Sequence, residues 1–129
     1  MPIFHYVVLT DAKPGRLDEF EEWYDRQHLA DAVAIPEVRS AKRYRLISKI
    51  TDQVEPPPWC SLAIYEIDAD DPVEVTRKLS ALANTAAMPL SDSLVWDTRL
   101  KIMGQLVSEV SAPEGSDPTP KHVPGPGRR

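Results

Sequence analysis

The sequence has one cysteine, no long apolar run and no basic cluster beyond residues 39–49. Cys60 alone cannot form an intrachain disulfide, which favours a reducing cytoplasm. No apolar run approaches the ~20 residues of a membrane span, and residues 1–13 lack the basic region of a signal peptide. A net charge of −5 argues against nucleic acid as the main partner. We therefore expect a cytoplasmic protein that binds neither membranes nor nucleic acid.

Motifs for metals, nucleophiles and phosphates are also missing. The three histidines are scattered, without an H-x-x-x-H pattern, a cysteine pair or a carboxylate cluster at ligand spacing. Pro14-Gly15 is a turn rather than a phosphate-binding loop, and a lone strand cysteine such as Cys60 is usually a small buried hydrophobe. We predict no metal site and no cofactor.

Proline, by contrast, is abundant, and it concentrates at the end of the chain. Residues 111–129 contain five prolines and three glycines, with Val123 the only aliphatic residue after Ala112. Such a segment cannot bury enough apolar surface to offset the entropy of ordering it. We predict one domain over 1–110 and a disordered tail over 111–129.

Within residues 1–110 the apolar pattern alternates between strand and helix periods. The predicted elements, in order, are strand 3–10, helix 16–32, strands 38–50 and 59–67, a helix from 72 that Met88-Pro89 ends, and strand 94–103 with Trp96, Thr98, Leu100 and Ile102 on one side. This βαββαβ order predicts an α+β, ferredoxin-like fold, a four-stranded antiparallel sheet with two helices on one face. No remaining segment can cover the other face, so we predict a homodimer through the sheets.

The end of the predicted first helix carries a recognisable motif. Phe20, Trp23, Tyr24 and His28 match F-x-x-W-Y-x-x-x-H-x-P, and residues 40–44 (SAKRY) follow in the next strand. This segment resembles the EthD-like branch of the dimeric α+β barrel superfamily, although Ala30 and Glu37 stand where that branch usually has proline and glycine. The resemblance implies a dimer with a pocket between sheet and helices. Its members include cofactor-free polyketide cyclases, isomerases, decarboxylases and dehydratases, besides monooxygenases and haem-binding proteins.

His28 is the leading candidate for chemistry. It lies four residues after Tyr24 and three before Asp31, so all three can share the helix face that points at the sheet. An imidazole in an apolar pocket can move a proton next to a carbonyl, with Asp31 or Asp25 orienting it. The alternative is a buried histidine that bonds to backbone and only holds the helix end.

His5 is the second candidate, on the first strand. Strand alternation separates His5 and Val7 from Tyr6 and Val8 without indicating which face meets the helices. In the polyketide cyclases that the chain resembles, a histidine in this region lines the pocket. The alternative places His5 at the dimer interface.

Aromatic residues are the candidates for substrate binding. Most should belong to the core, and some should line a pocket for a planar substrate and orient it through a hydroxyl or indole N–H. These residues are Tyr6, Trp23, Tyr44, Trp59, Tyr65 and Trp96. Arg43 and Arg45 could bind a carboxylate, but we interpret them as a solvated strand edge.

Three functional hypotheses follow from these features. The first is a cofactor-free enzyme of lyase, isomerase or cyclase type, which acts on a small hydrophobic, aromatic or polyketide-like carbonyl compound. In it His28 is the general base or acid, and Tyr24, Tyr44 and His5 polarise the carbonyl. The second is a non-catalytic ligand-binding accessory dimer. The third is a monooxygenase- or haem-type member of the same superfamily, with His28 or His5 as axial ligand.

Overall fold

The computed structural model describes residues 2–47, 55 and 57–113. Its elements, in chain order, are β1 (Ile3–Ala12), α1 (Leu17–Trp23), a π-helical segment (Tyr24–His28), α2 (Leu29–Val33), β2 (Val38–Arg45), β3 (Ser61–Asp68), α3 (Pro72–Leu82) and β4 (Leu94–Gln105). We call residues 17–33 the first helix, because its three segments follow one another without a break. The predicted element order is confirmed.

The four strands form one sheet in the order β2-β3-β1-β4, and every neighbouring pair is antiparallel. This is the strand order of the ferredoxin-like α+β fold, as predicted. β3 begins at Ser61, so Trp59 and Cys60 precede it. The predicted end of β2, residues 48–50, lies outside the described residues.

The core lies between the first helix, α3 and one face of the sheet. Burial alternates along β3, where Ala63, Tyr65 and Ile67 are buried, as expected for a strand with one covered face. Phe20 and Tyr24 of the first helix are fully buried and pack edge to face, with ring centroids 5.4 Å apart. The stripe predicted on the first helix is therefore the part that attaches it to the sheet.

The opposite sheet face has no cover in the described structure. His5, Val7 and Leu9 of β1 lie on it, and their β4 neighbours Leu100 and Ile102 are 41% and 48% exposed. We call this surface the open sheet face. A row of apolar side chains on it is what the predicted sheet-to-sheet dimer requires.

An irregularity in β4 corrects one prediction. Leu9 pairs with Leu100, but Asp11, two residues on, pairs with Val95, so β4 contains extra residues between these pairs. The insertion reverses the side-chain alternation. Trp96 consequently packs against the core, whereas Leu100 and Ile102 face the open side. Their predicted placement on one side of the strand was wrong.

The second long helix, α3, begins as its sequence predicts. The Asp71 carboxylate accepts a hydrogen bond of 3.0 Å from the Val73 N–H, and Pro72 occupies the first turn. The helix ends at Leu82, earlier than predicted. Asn84 adopts a left-handed φ of 64° and turns the chain, after which Met88 is buried.

The boundary predicted at residue 110 falls in a stretch, 106–113, without regular secondary structure. Residues 114–129, most of the predicted disordered tail, lie outside the described residues, so the domain division stays a prediction. No helix among the described residues is long and apolar enough to cross a membrane.

Arg43 on β2 ties the first helix to the sheet. Its Nη2 bonds Glu21 at 3.1 Å and Asp25 at 3.0 Å, and its guanidinium lies 5.8 Å from the centroid of the Tyr24 ring. The side chain is only 6% exposed. Our interpretation of Arg43 as a solvated strand edge was wrong, because the helix supplies the carboxylates that compensate its burial.

Replacing Arg43 should destabilise the fold well beyond the effect of an exposed ion pair. Arg43→Gln removes the charged partner of Asp25 and leaves the part-buried Glu21 with Arg45 as its remaining partner, so we expect a loss of about 2 kcal/mol in the free energy of unfolding. Arg77→Gln is the matched control, because Arg77 pairs with Glu74 on the surface of α3 and should contribute under about 0.5 kcal/mol. Urea unfolding measures both, and equal losses would contradict the role of Arg43.

Candidate functional site

A cavity of about 330 Å³ lies between the covered sheet face and the helices. Its walls come from β1, the first helix, β3, α3, the segment after α3, and β4. The lining residues are Tyr6, Val8, Thr10, Trp23, Tyr24, His28, Ala32, Tyr65, Leu79, Ser80, Ala83, Met88, Leu90, Leu94, Trp96, Arg99 and Lys101. The lining is mainly apolar and aromatic, as in sites for small organic molecules.

The π-helical segment shapes the wall that carries His28. The Leu29 N–H donates to the Tyr24 carbonyl oxygen, five residues earlier, so this turn is wider than an α-helical one. In an α-helix, side chains five residues apart point about 140° away from each other. Here Trp23 and His28 stack, with ring centroids 4.6 Å apart and planes 24° apart. The wide turn therefore brings together two side chains that a regular helix would separate.

His28 sits in an aromatic surrounding. The Tyr24 ring is nearly perpendicular to the imidazole, with ring centroids 5.2 Å apart, whereas the Trp23 ring stacks on the imidazole. The pKa of His28 is lowered from 6.5 to about 4, mainly by burial; the charge of Asp31 acts in the opposite direction, and Lys101 contributes a smaller lowering. The imidazole is therefore uncharged at neutral pH.

The Nδ1 atom of His28 is buried and has no hydrogen-bond partner among the described residues. A buried polar atom without a partner is costly, and native structures rarely keep one without a use. The alternative of a histidine that fixes the helix end through backbone bonds receives no support at this nitrogen.

The two candidate partners of His28 are engaged elsewhere. Both carboxylate oxygens of Asp31 accept from the Gln27 side-chain amide, at 2.9 and 3.1 Å. Asp25 pairs with Arg43. Asp31 thus acts on His28 only through its charge, and Asp25 does not line the cavity.

Tyr6, Thr10 and Tyr65 of the sheet bring hydroxyl groups to the cavity wall, and so does Tyr24 of the first helix. Tyr6 and Tyr65 lie with ring centroids 6.1 Å apart. Burial raises the pKa of Tyr6 and Tyr24, and raises that of Tyr65 well above 10; the Tyr65 and Thr10 hydroxyls offset the rise at Tyr24 only in part. All three phenols therefore keep their protons at neutral pH and can donate hydrogen bonds.

Of the other predicted site residues, two line the cavity and three do not. Trp23 lines it and is fixed by its indole N–H, which donates to the Pro89 carbonyl oxygen at 3.0 Å; Trp96 lines it from β4. His5 and Tyr44 lie on the open sheet face, where His5 Nε2 is 3.8 Å from a Glu66 carboxylate oxygen. Trp59 lies outside the cavity and donates to the Thr98 carbonyl oxygen at 2.7 Å.

Sequence reasoning missed Arg99 and Lys101, which line the cavity from β4. Alternation counted from Trp96 would have placed both on the opposite side. The irregularity between Val95 and Leu100 turns both side chains toward the cavity, and no residue pattern in the sequence predicts it. Ser80 of α3 was missed as well, because its helix face reads as polar surface.

No three histidine, cysteine, aspartate or glutamate side chains come close enough to hold a metal ion within residues 2–47, 55 and 57–113. His28 is the histidine on the cavity wall, and Cys60 lies away from it. Burial raises the pKa of the Cys60 thiol, which makes it a poor nucleophile at neutral pH.

Comparison with known proteins places the fold and leaves the activity open. No protein-family model matches the chain, and no curated protein matches it. An EthD (ethyl tert-butyl ether D) family protein from Bacillus halodurans C-125 matches in structure, with a TM-score of 0.51 and 16% identity, over 83% of this chain and 100% of that one. A dimeric ferredoxin-like protein from Thermobifida fusca YX gives 0.46 and 14%, over 81% and 92%. The resemblance found in the sequence therefore holds at the level of the fold.

The uncharged state of His28 predicts an extra loss of stability in acid. Its pKa is near 4 when folded and near 6.5 when unfolded, so between these values only the unfolded chain takes up the proton. Stability should fall as the pH drops below 6.5, by about 2 kcal/mol more in the wild type than in His28→Gln at pH 4.5. Urea unfolding of both proteins at pH 7 and 4.5 measures this difference. The carboxylates are the same in the two proteins, so the effect of their titration on stability cancels. Parallel pH profiles would show that His28 titrates normally.

Proposed function

We propose that this chain is a cofactor-free enzyme that performs general acid/base chemistry on a small hydrophobic, carbonyl-bearing substrate of aromatic or polyketide-like character. One observation carries the proposal. The uncharged imidazole of His28 lines an aromatic cavity and has a buried Nδ1 without a hydrogen-bond partner among the described residues. Cyclisation, dehydration, isomerisation and decarboxylation all need a proton moved next to a carbonyl.

In this proposal His28 takes the proton from the carbon beside the carbonyl. It is uncharged at neutral pH and so can accept, and the negative charge of Asp31 stabilises the imidazolium that forms. The electron pair of the broken C–H bond moves onto the carbonyl oxygen. Returning the proton to another atom of the substrate completes the reaction and restores His28.

The developing oxyanion needs hydrogen-bond donors, and the three tyrosines of the cavity wall can supply them. Tyr6 is the most accessible of the three, and its raised pKa keeps its hydroxyl protonated. Tyr24 and Tyr65 lie deeper. Tyr44 and His5, which the sequence suggested for this task, are on the wrong side of the sheet to reach it.

The cavity also indicates the size and shape of the substrate. About 330 Å³ is near the lower end of small-molecule sites. The flat rings of Trp23 and Trp96 in the lining favour a flat ligand. A one- or two-ring substrate suits this volume.

We also propose that the protein is a cytoplasmic homodimer through the open sheet face. The support is the row of apolar side chains there, including Leu100 and Ile102, which a monomer leaves in water. A second copy is the partner that such a face favours, because two copies related by a two-fold axis can pack the same patch against itself. The single Cys60 suits a reducing compartment.

His28→Ala should abolish proton transfer while the fold persists. The probe is 2-acetonaphthone in D₂O, whose methyl protons exchange through the enolate; ¹H NMR follows their loss. The wild type should accelerate the exchange, and His28→Ala should lose about 10²–10⁴-fold, the contribution of one positioned acid or base. Melting curves check the fold.

His5→Ala is the comparison variant for that experiment. His5 faces away from the cavity, so this variant should keep the wild-type exchange rate. A rate that His28→Ala leaves intact would remove His28 from catalysis. A wild type that binds the ketone, with a raised melting temperature and no exchange, would favour the accessory ligand-binding alternative. A Soret band on adding haem would favour the haem-type alternative.

Light scattering at micromolar concentration tests the dimer. The wild type should have twice the mass of the chain, and Ile102→Glu should shift it to monomer, because the new carboxylate would be buried between the sheets. Val73→Glu is the matched control, since Val73 is similarly exposed (53%) on the first turn of α3. A monomeric wild type would exclude the dimer.

A further inference from the structure

Two cations face the cavity from β4. Lys101 pairs with Val8, so its side chain shares the covered sheet face, and Arg99 lies two residues before it on the same side. No aspartate or glutamate is among the described residues that line the cavity. This local excess of positive charge stands in a chain whose net charge is −5. The chain has 20 acidic residues, and none of those described lies on the cavity wall.

Neither cation has a carboxylate partner within the described residues, in contrast to the other arginines near the sheet. Arg16, Arg43 and Arg45 each pair with acids of the first helix or the loop before β4. Arg99 instead lies over the Trp96 ring, 5.6 Å from its centroid, and its Nη1 donates to the Trp96 carbonyl oxygen at 2.5 Å. These contacts fix the guanidinium beside an aromatic wall.

The charges act on the polar groups of the cavity. Arg99 works against the rise in the pKa of Tyr6, and Lys101 helps to lower the pKa of His28. Partial burial and the neighbouring Arg99 also lower the pKa of Lys101 itself. An anion between Arg99 and Lys101 would offset the repulsion between their positive charges and gain charge-assisted hydrogen bonds.

We propose that the cavity binds an aromatic carboxylate, with the ring against the aromatic wall near Trp96 and the carboxylate between Arg99 and Lys101. The proposal rests on the function proposed above and deepens it by naming the substrate class. A planar guanidinium can bond both carboxylate oxygens, and the ammonium adds a point charge. The carboxylate would then anchor the substrate while His28, on the facing helix, takes the proton from the carbon beside the carbonyl.

The test compares 2-naphthoate with 2-naphthamide, a neutral analogue of nearly the same shape, by isothermal titration calorimetry on the full chain. The carboxylate should bind about ten- to a hundredfold more tightly, as expected for hydrogen bonds to a charged group. Its affinity should fall with rising salt, whereas that of the amide should not. This comparison uses the wild type alone, so it does not depend on how any variant folds.

Arg99→Gln and Lys101→Gln should each reduce naphthoate affinity by about tenfold and leave naphthamide binding unchanged. Lys13→Gln is the control, because it removes one positive charge from an exposed residue that does not line the cavity. Equal affinity for the two probes, no saturable binding of naphthoate, or a preference that survives both substitutions would overturn the anion site.

Binding is measured without turnover, so this proposal and the proposed function can fail separately. His28→Ala should keep the preference for naphthoate even where it abolishes proton exchange. If the wild type shows no proton exchange but prefers naphthoate to naphthamide, the protein binds aromatic acids without catalysing the proposed reaction. An absent preference beside intact exchange would remove the anion site alone.

Discussion

The burial of Phe20 and Tyr24 against the sheet is the contact on which the candidate site depends. It fixes the position of the first helix, and Arg43 reinforces it by bringing positive charge from β2 to the carboxylates of that helix. Once the helix is held there, His28 lies on the cavity wall. The contacts that stabilise the domain are thus also the contacts that position His28.

Much of this arrangement could be predicted from residue patterns. Apolar spacing of three and four located the first helix and its buried stripe, and alternation located the strands, because both periods follow directly from backbone geometry. His28 was found because the stripe runs into it. Asp71-Pro72 marked the start of α3 through local capping, which requires no knowledge of the tertiary structure.

The parts that could not be predicted are departures from regular periods. The wide turn at Tyr24–His28 replaced Asp31 by Trp23 as the neighbour of the imidazole, and the irregular register of β4 exchanged its faces between Trp96 and Leu100. Neither carries a glycine or proline to announce it. Both depend on how neighbouring elements pack, which a single sequence does not display. Arg43 was misjudged for a related reason, since its burial depends on acids supplied by another element.

The π-helical turn makes the consequence of a deletion depend on where it falls in the first helix. A turn with bonds to the fifth residue is what one extra residue produces within an α-helix, so deleting one residue from 24–28 would restore regular bonding. Leu29–Val33 would keep the side that they present to the sheet, because the wide turn already absorbs the extra residue. A deletion within Leu17–Trp23 would instead rotate everything after it by about 100° relative to the residues before it. For this helix, the place of a length change matters as much as the residue that is removed.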